Sequence, residues 1–332
     1  MNTRVERLNE AAMLDTLTAP GDWPTVGSRE LSQTTPDATY IVRDGASLRA
    51  RCSVWWRSTP PLERERIAVV GHFAAGDSAA AGLVLDAAVD DARKASATLA
   101  LGPMDGNTWR RYRLVIDRGT EPPFLLEPWN PAEWPEWWRG AGWSEHAEYI
   151  SAANEDLSVA ERSAEEKARA IGERGVTLRP LDVSQFDAEL GRIYEVARVA
   201  FRGNYLYTSL DESSFRAQYG AARQMVMPEL VTLAEHEGRC VGFFFALPNV
   251  LEAQRGEKVL SAIAKTFAVL PEYRGLGAVL AQRTHDRARE LGFQRMIHAL
   301  IHVGNDRSRV LSSRTAREIR RYALFERRLA TP

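Results

Sequence analysis

An apolar strand, a tight turn, an amphipathic helix and a second apolar strand occur twice in this chain, about 190 residues apart. In the first copy ERIAVVGHFAA reads as strand, DSAAAGLVLDAAVDDARKA as a helix capped by Asp77 or Ser78, and ATLALGP as strand. In the second, KVLSAIAKTFAVL is the strand, PEYRGLGAVLAQRTHDRARELGF the turn and helix, and FQRMIHALI the next strand. The two copies share little residue identity, but the recurring order points to internal duplication. A chain of 332 residues is long enough for two such units, each with its own core.

The halves differ sharply in composition. All nine tryptophans, at 23, 55, 56, 109, 129, 134, 137, 138 and 143, precede residue 150. Residues 155–175 are polar, rich in Ala and Glu and free of proline, and read as an exposed helical linker ending at Gly175. Domains are expected over 1–154 and 176–332. In the first, TYIVRDGASLRARCSVWW reads as a hairpin turning at Asp44-Gly45, NPAEWPEWWRGAGW as a helix between Pro131 and Gly142, and SEHAEYISA as a closing strand. In the second, VTLRPLD reads as strand, FDAELGRIYEVARVAF and ESSFRAQYGAARQ as helices, and LVTLAEHEGRCVGFFFAL as a hairpin turning near Glu237-Gly238. Beyond Asn305, NDRSRVLSSRTAREIR reads as a helix and RYALFERRL as the last strand.

Bulk properties remove several function classes. Net charge is −1, so no whole-molecule field favours nucleic acid or a membrane surface. Cys52 and Cys240 are the two cysteines, too few for a disulfide framework or a thiolate metal site. The six histidines form no metal-binding pattern. The leading residues, MNTRVERLNEAAML, lack the apolar run of a signal peptide, and no stretch has membrane-span length. A cytoplasmic protein, monomeric or homodimeric and without metal, is expected.

Arg274, Gly275, Leu276 and Gly277 stand where the second strand meets its helix. A helix N-terminus presents unpartnered N–H groups at the positive end of its dipole, and glycines let phosphate oxygens approach them. An arginine adds a charge-assisted contact. A plain tight turn has the same letters, so local chemistry leaves both readings open. The Lys-Ser/Thr pair of a Walker turn and the G-x-G-x-x-G of a dinucleotide fold are both absent. Between 274 and 328 thirteen arginines face five acidic residues, a surface suited to phosphates.

The stretch Val269-x-Pro271-x-Tyr273-Arg274-Gly275-x-Gly277, with the helix that follows, resembles the acetyl-CoA-binding core of the GNAT superfamily of N-acyltransferases. The element order of 176–329 is similar to that fold, and the whole resembles tandem GNAT proteins. The resemblance implies two α/β domains, each a mixed, mostly antiparallel sheet flanked by helices. It implies that backbone amides of Arg274, Gly275, Leu276, Gly277, Ala278 and Val279 hold the pyrophosphate of acetyl-CoA, with Val279 where the family has glycine or alanine. Phe267, Ala268 and Val269 would align the pantetheine arm, the Val269 amide would face the thioester carbonyl, and Asn305 and Ser308 would reach the pantetheine from the next helix.

A small-molecule amine would then attack the thioester directly. The family's acidic tyrosine falls at Ser312 here; Tyr322 is a nearby alternative, and Lys265, Glu212 and Glu229 are further proton handlers. Phe201, Tyr205, Tyr207 and Phe244 are the expected acceptor-binding residues, with Asn204, Phe243 and Phe245 close by. In the first half the turn reads His72-Phe73-Ala74-Ala75-Gly76-Asp77-Ser78, and Asp77 would repel phosphate. That half is expected not to bind CoA, and its Trp-rich segment to serve packing. The rival reading is a GNAT-fold protein without catalysis that binds CoA or another ligand as a sensor or scaffold.

Overall fold

A computed structural model describes residues 4–158, 164–220, 223–304 and 316–329. The first half contains β1 (Val5–Arg7), α1 (Ser28–Thr34), β2 (Ala38–Asp44), β3 (Ser47–Trp55), β4 (Ile67–Ala75), α2 (Ser78–Lys94), β5 (Leu99–Gly102), β6 (Leu114–Asp117), α3 (Trp134–Gly140) and β7 (Ser144–Asn154). Helix α4 (Ala164–Glu173) leads into β8 (Thr177–Pro180), α5 (Phe186–Ala200), α6 (Glu212–Gly220), β9 (Val231–His236), β10 (Arg239–Pro248) and α7 (Leu251–Gln254). Then come β11 (Ser261–Val269), α8 (Leu276–Glu290), β12 (Arg295–His302) and β13 (Ala316–Arg328).

Turn chemistry sets the hairpins. Gly45 takes φ 58° between β2 and β3, and Glu237 and Gly238 take φ 50° and 75° between β9 and β10. Two consecutive residues of positive φ twist as paired strands do. The two strand–helix–strand units form the two parallel pairs, β4 with β5 and β11 with β12. The other strand pairs are antiparallel. The mixed, mostly antiparallel architecture expected for two duplicated units is therefore present.

The halves share one sheet, in the order β1-β2-β3-β4-β5-β13-β7-β12-β11-β10-β9-β8, with β6 also on β13. Each half lends its last strand to the other. β13 inserts between β5 and β7, and β7 pairs with β12. This corrects the reading of 316–320 as the end of a helix. Those residues are strand, because Ala316, Arg317 and Glu318 pair with Asn154, Ala153 and Ala152. A fully buried ion pair, Arg320 Nε to Glu127 Oε1 at 2.7 Å, secures the exchange.

Two main cores result. One lies between α2, α3 and β2–β4 and takes in Trp134, Trp138 and Trp143 with Phe325 of β13. Trp138 meets Phe73 edge-on at 5.2 Å, so the Trp-rich segment fills the first half's own core. The other gathers α5 and α8 against β9–β11. Gly242 lets α8 sit down on the sheet, since a Cβ there would stand 3.1 Å from Leu276 and 3.2 Å from Leu280. Helix α4 is docked, with Ile171 buried in this core.

Candidate functional site

The β11–β12 pairing stops at Ala264 and His298, although β11 runs on to Val269 and β12 to His302. The walls part there and leave a crevice inside the sheet. Lys265 sits at its base, at the bulge where Phe245 pairs with Thr266 but Ala246 with Ala264.

One bond fixes which backbone groups face the crevice. The Leu270 N–H donates to the Val241 carbonyl at 2.9 Å. In an antiparallel ladder hydrogen-bonded and non-bonded pairs alternate. Leu270, Ala268 and Thr266 therefore spend their backbone groups on β10. Phe267 and Val269, opposite Phe244 and Gly242, turn theirs to the open side. Of the three residues expected to align an arm along this strand, Ala268 is the one whose polar groups are already engaged.

The chain then turns through Leu270–Arg274 into α8. Gly275 is the N-cap at φ 92°, with no side chain capping the helix. Arg274 is exposed. A Cβ on Gly277 would meet nothing nearer than Phe267 at 3.8 Å and Val269 at 3.9 Å. Packing does not demand that glycine; its bareness leaves the approach to the first turn clear, where the Leu276 and Ala278 N–H groups donate to the Tyr273 and Gly275 carbonyls at 3.2 Å each. Leu276 and Val279 point into the core, and Ala278 is half-buried.

The first half has the same frame, filled in. Chain beyond β5 enters the β4 opening: Met104 N–H donates to the Val70 carbonyl at 2.8 Å, and His72 N–H donates to Asp105 Oδ1 at 2.5 Å. A Cβ on Gly71 would lie 2.0 Å from the Met104 carbonyl oxygen. At the N-terminus of α2, Asp77 accepts from Ala80 N–H at 2.8 Å and pairs with Arg49 at 2.5 Å. A carboxylate thus occupies the place a phosphate would need.

The aromatic loop after α5 packs onto the first half. Trp109 lies 6.1 Å from both Phe201 and Tyr207 and 5.9 Å from Phe215, and its indole N–H donates to the Thr208 carbonyl at 2.6 Å. Tyr205 stacks on His302 at 5.3 Å and hydrogen-bonds His146 Nε2, whose Nδ1 lies 2.6 Å from Glu326. Burial, then Glu326, push the Tyr205 hydroxyl up to about 12. Phe201, Tyr205 and Tyr207 are half-buried, whereas Phe244 is core, stacked on Phe267 at 5.7 Å.

Tyr322, on β13 opposite Tyr149 of β7, is fully buried. Its hydroxyl donates to Glu127 at 2.5 Å and lies 3.0 Å from Ser151 Oγ. Burial and Glu127 raise its pKa strongly. Asn305, Ser308 and Ser312 lie outside the described residues. Burial lowers the Lys265 ammonium to about 8, with Arg113 adding to the effect. Trp109, Arg113, His146 and His302 were not read as site residues in the sequence; the run Trp109-Arg110-Arg111-Tyr112-Arg113 is a local signal for the first two. Among the described residues no three metal-binding side chains cluster, and no helix is long and apolar enough to cross a membrane.

This frame is the tandem GNAT fold. A tandem GNAT protein from the clavulanic acid biosynthesis pathway superposes with a TM-score of 0.51 at 13% identity, covering 98% of each chain. A probable N-acyltransferase from Enterococcus faecalis V583 gives 0.55 at 11% identity, over 100% of this chain and 74% of that one. A glucosamine N-acetyltransferase region of a fungal multi-domain β-N-acetylglucosaminidase gives 0.53 at 13% identity, over 98% of this chain but 38% of that one. No family model matches the sequence. A curated relative named bacterial ceramide synthase, from Caulobacter vibrioides, is 26% identical over 187 residues, 55% of this chain and about half (49%) of the relative.

Proposed function

We propose that the second half binds acetyl-CoA and transfers its acyl group to a small-molecule amine by direct attack on the thioester. The observation that carries this reading is the contrast between the two helix N-termini. That of α2 is closed by Asp77, while that of α8 is uncapped, glycine-lined and beside a crevice edged by free backbone groups. Amides from Arg274 to Val279 would hold the pyrophosphate, and Phe267 and Val269 would hold the arm by strand-like bonds. The Val269 N–H would meet the charge that develops on the thioester oxygen. As the amine nitrogen bonds to the acyl carbon, the C–S bond breaks. One proton leaves the nitrogen and one reaches the thiolate.

Ceramide is an amide, so the name of the curated relative fits acyl transfer to nitrogen and leaves a longer acyl chain open. The first half, with its opening plugged, would serve the acceptor side through Trp109 and Arg113. Calorimetric titration with acetyl-CoA and with CoA is the direct test. One site per chain is expected; no binding up to about 1 mM, the upper end of ordinary KM values, would sink the reading.

A further inference from the structure

Two cations flank the crevice, and among the described residues neither has a counter-ion. Lys265 stands on the β11 wall at the base of the opening. Arg113 reaches the β12 wall from the first half, where its guanidinium donates to the Leu300 carbonyl at 3.4 Å. Leu300 is held there at φ 61°, with its N–H donating to Ser151 Oγ at 3.1 Å. Arg113 is 4% exposed and clamped between Tyr112 and Tyr149, with its carbon 3.6 Å and 3.9 Å from their ring centres. Among the described residues its Nε has no hydrogen-bond partner. Among the described residues no carboxylate pairs with either cation. Two other buried charges are matched directly, Arg320 by Glu127 and Glu189 by Arg179; Arg51, 1% exposed and with its Nε likewise unpartnered, makes no ion pair among the described residues and lies in the first half near Asp105.

Arg113 is buried and Lys265 half-buried; charge withdrawn from water is normally paired, and two unmatched cations at a crevice call for an anion. We infer that Arg113 and Lys265 bind an anionic group of the acceptor, so that the substrate class is an amine bearing a carboxylate or phosphate. This rests on the acyl-transfer reading for the amine, while the anion subsite stands on the two side chains alone. The position makes chemical sense. An anion held at the base of the crevice fixes the far end of a short acceptor and leaves its amine to reach the thioester along the wall. Tyr149, through the clamp on Arg113, and His302, at the end of the β12 wall, would position the acceptor without taking part in the charge contact.

The test is direct binding of probes with no reactive amine: N-acetylglycine and inorganic phosphate, each titrated calorimetrically into the full chain, alone and with saturating CoA. Wild type should bind at least one probe, with and without CoA. With CoA saturating, so that the N-terminus of α8 is occupied, Lys265→Met and Arg113→Gln should each weaken it by about tenfold or more. Lys265→Arg, which keeps the charge, should restore most of the affinity and guards against loss through misfolding. The inference is overturned by no probe binding up to about 50 mM, where even weak ion pairs register, or by affinity indifferent to both substitutions. Probe binding without CoA binding would keep the anion subsite and remove the acyl-transfer reading; the reverse would do the opposite. Should turnover be found, glycine should outpace its uncharged counterpart glycinamide, and equal rates would also overturn the inference.

Discussion

Leu270 donates its N–H to the carbonyl of Val241 at 2.9 Å, and that single contact sets the phase of the whole β10–β11 ladder. The alternation separates neighbours that look alike in sequence. Ala268→Pro removes a ladder donor, whereas Val269→Pro removes a donor that faces the crevice. Ala268→Pro should therefore be the less stable variant by about 1–3 kcal/mol in chemical denaturation. Val269→Pro should fold, bind CoA and lose thioester turnover by about a hundredfold. Equal stability of the two would show the phase to be wrong.

Gly277→Asp copies into α8 what Asp77 does for α2. The side chain has room, so the melting temperature should hold or rise slightly; an acidic group at a helix N-terminus contributes about 0.3–1 kcal/mol. CoA affinity should fall by about tenfold or more, because the carboxylate takes the N–H groups and repels phosphate. Undiminished affinity would move the pyrophosphate site elsewhere.

The plugged opening of the first half makes the converse statement. Gly71→Ala must displace the Met104 backbone, which flexible side-chain motion cannot relieve. A loss of about 1–3 kcal/mol or more is expected, read as a lower denaturation midpoint. CoA binding by the folded fraction should not change.

Lys265 gives the anion subsite a pH signature. Its ammonium is lowered from 10.5 to about 8 by burial and then by Arg113. Below about 8 the side chain is charged and should favour the anion. As pH rises through 8 it loses the proton, and probe affinity should fall toward what Arg113 alone supports. His302, near Arg113, is itself lowered by burial and is neutral across this window. Stability should move the other way. The unfolded chain holds this proton more tightly between about 8 and 10.5, so unfolding free energy should rise with pH across that interval. Calorimetry and denaturation at matched pH values read both trends, and probe affinity rising above pH 8 would contradict them.

Glu127→Gln leaves Arg320 charged and unmatched inside the protein. Removing one partner of a buried pair costs about 3–5 kcal/mol. Tyr322→Phe, which loses hydrogen bonds to the same carboxylate and to Ser151 Oγ, should cost about 1–3 kcal/mol and leave thioester turnover intact. Loss of turnover in Tyr322→Phe would return that tyrosine to the chemistry.

What the sequence disclosed was local. The strand–turn–helix around Arg274 to Gly277 is written in contiguous residues, and so are the Asp44-Gly45 and Glu237-Gly238 hairpins and the Asp77 cap. The long-range contacts were not legible. Arg113 meets Leu300 across 187 positions, and Trp109 meets Thr208 across 99. Residues 316–320 carry helix-forming letters but become strand because β7 offers them an edge; tertiary pairing overrides propensity. Phe244, expected at the acceptor, is core because two sheet neighbours and α8 close over it.

The exchange of last strands has a consequence for synthesis. β5 and β7 acquire their shared neighbour only when residues 316–328 exist. Chains grow from the N-terminus at about 5–20 residues per second, so the first half must wait on the order of ten seconds with its sheet split open. A nascent chain of this protein therefore cannot finish one half before beginning the other. Completion of the fold itself certifies that both have been made.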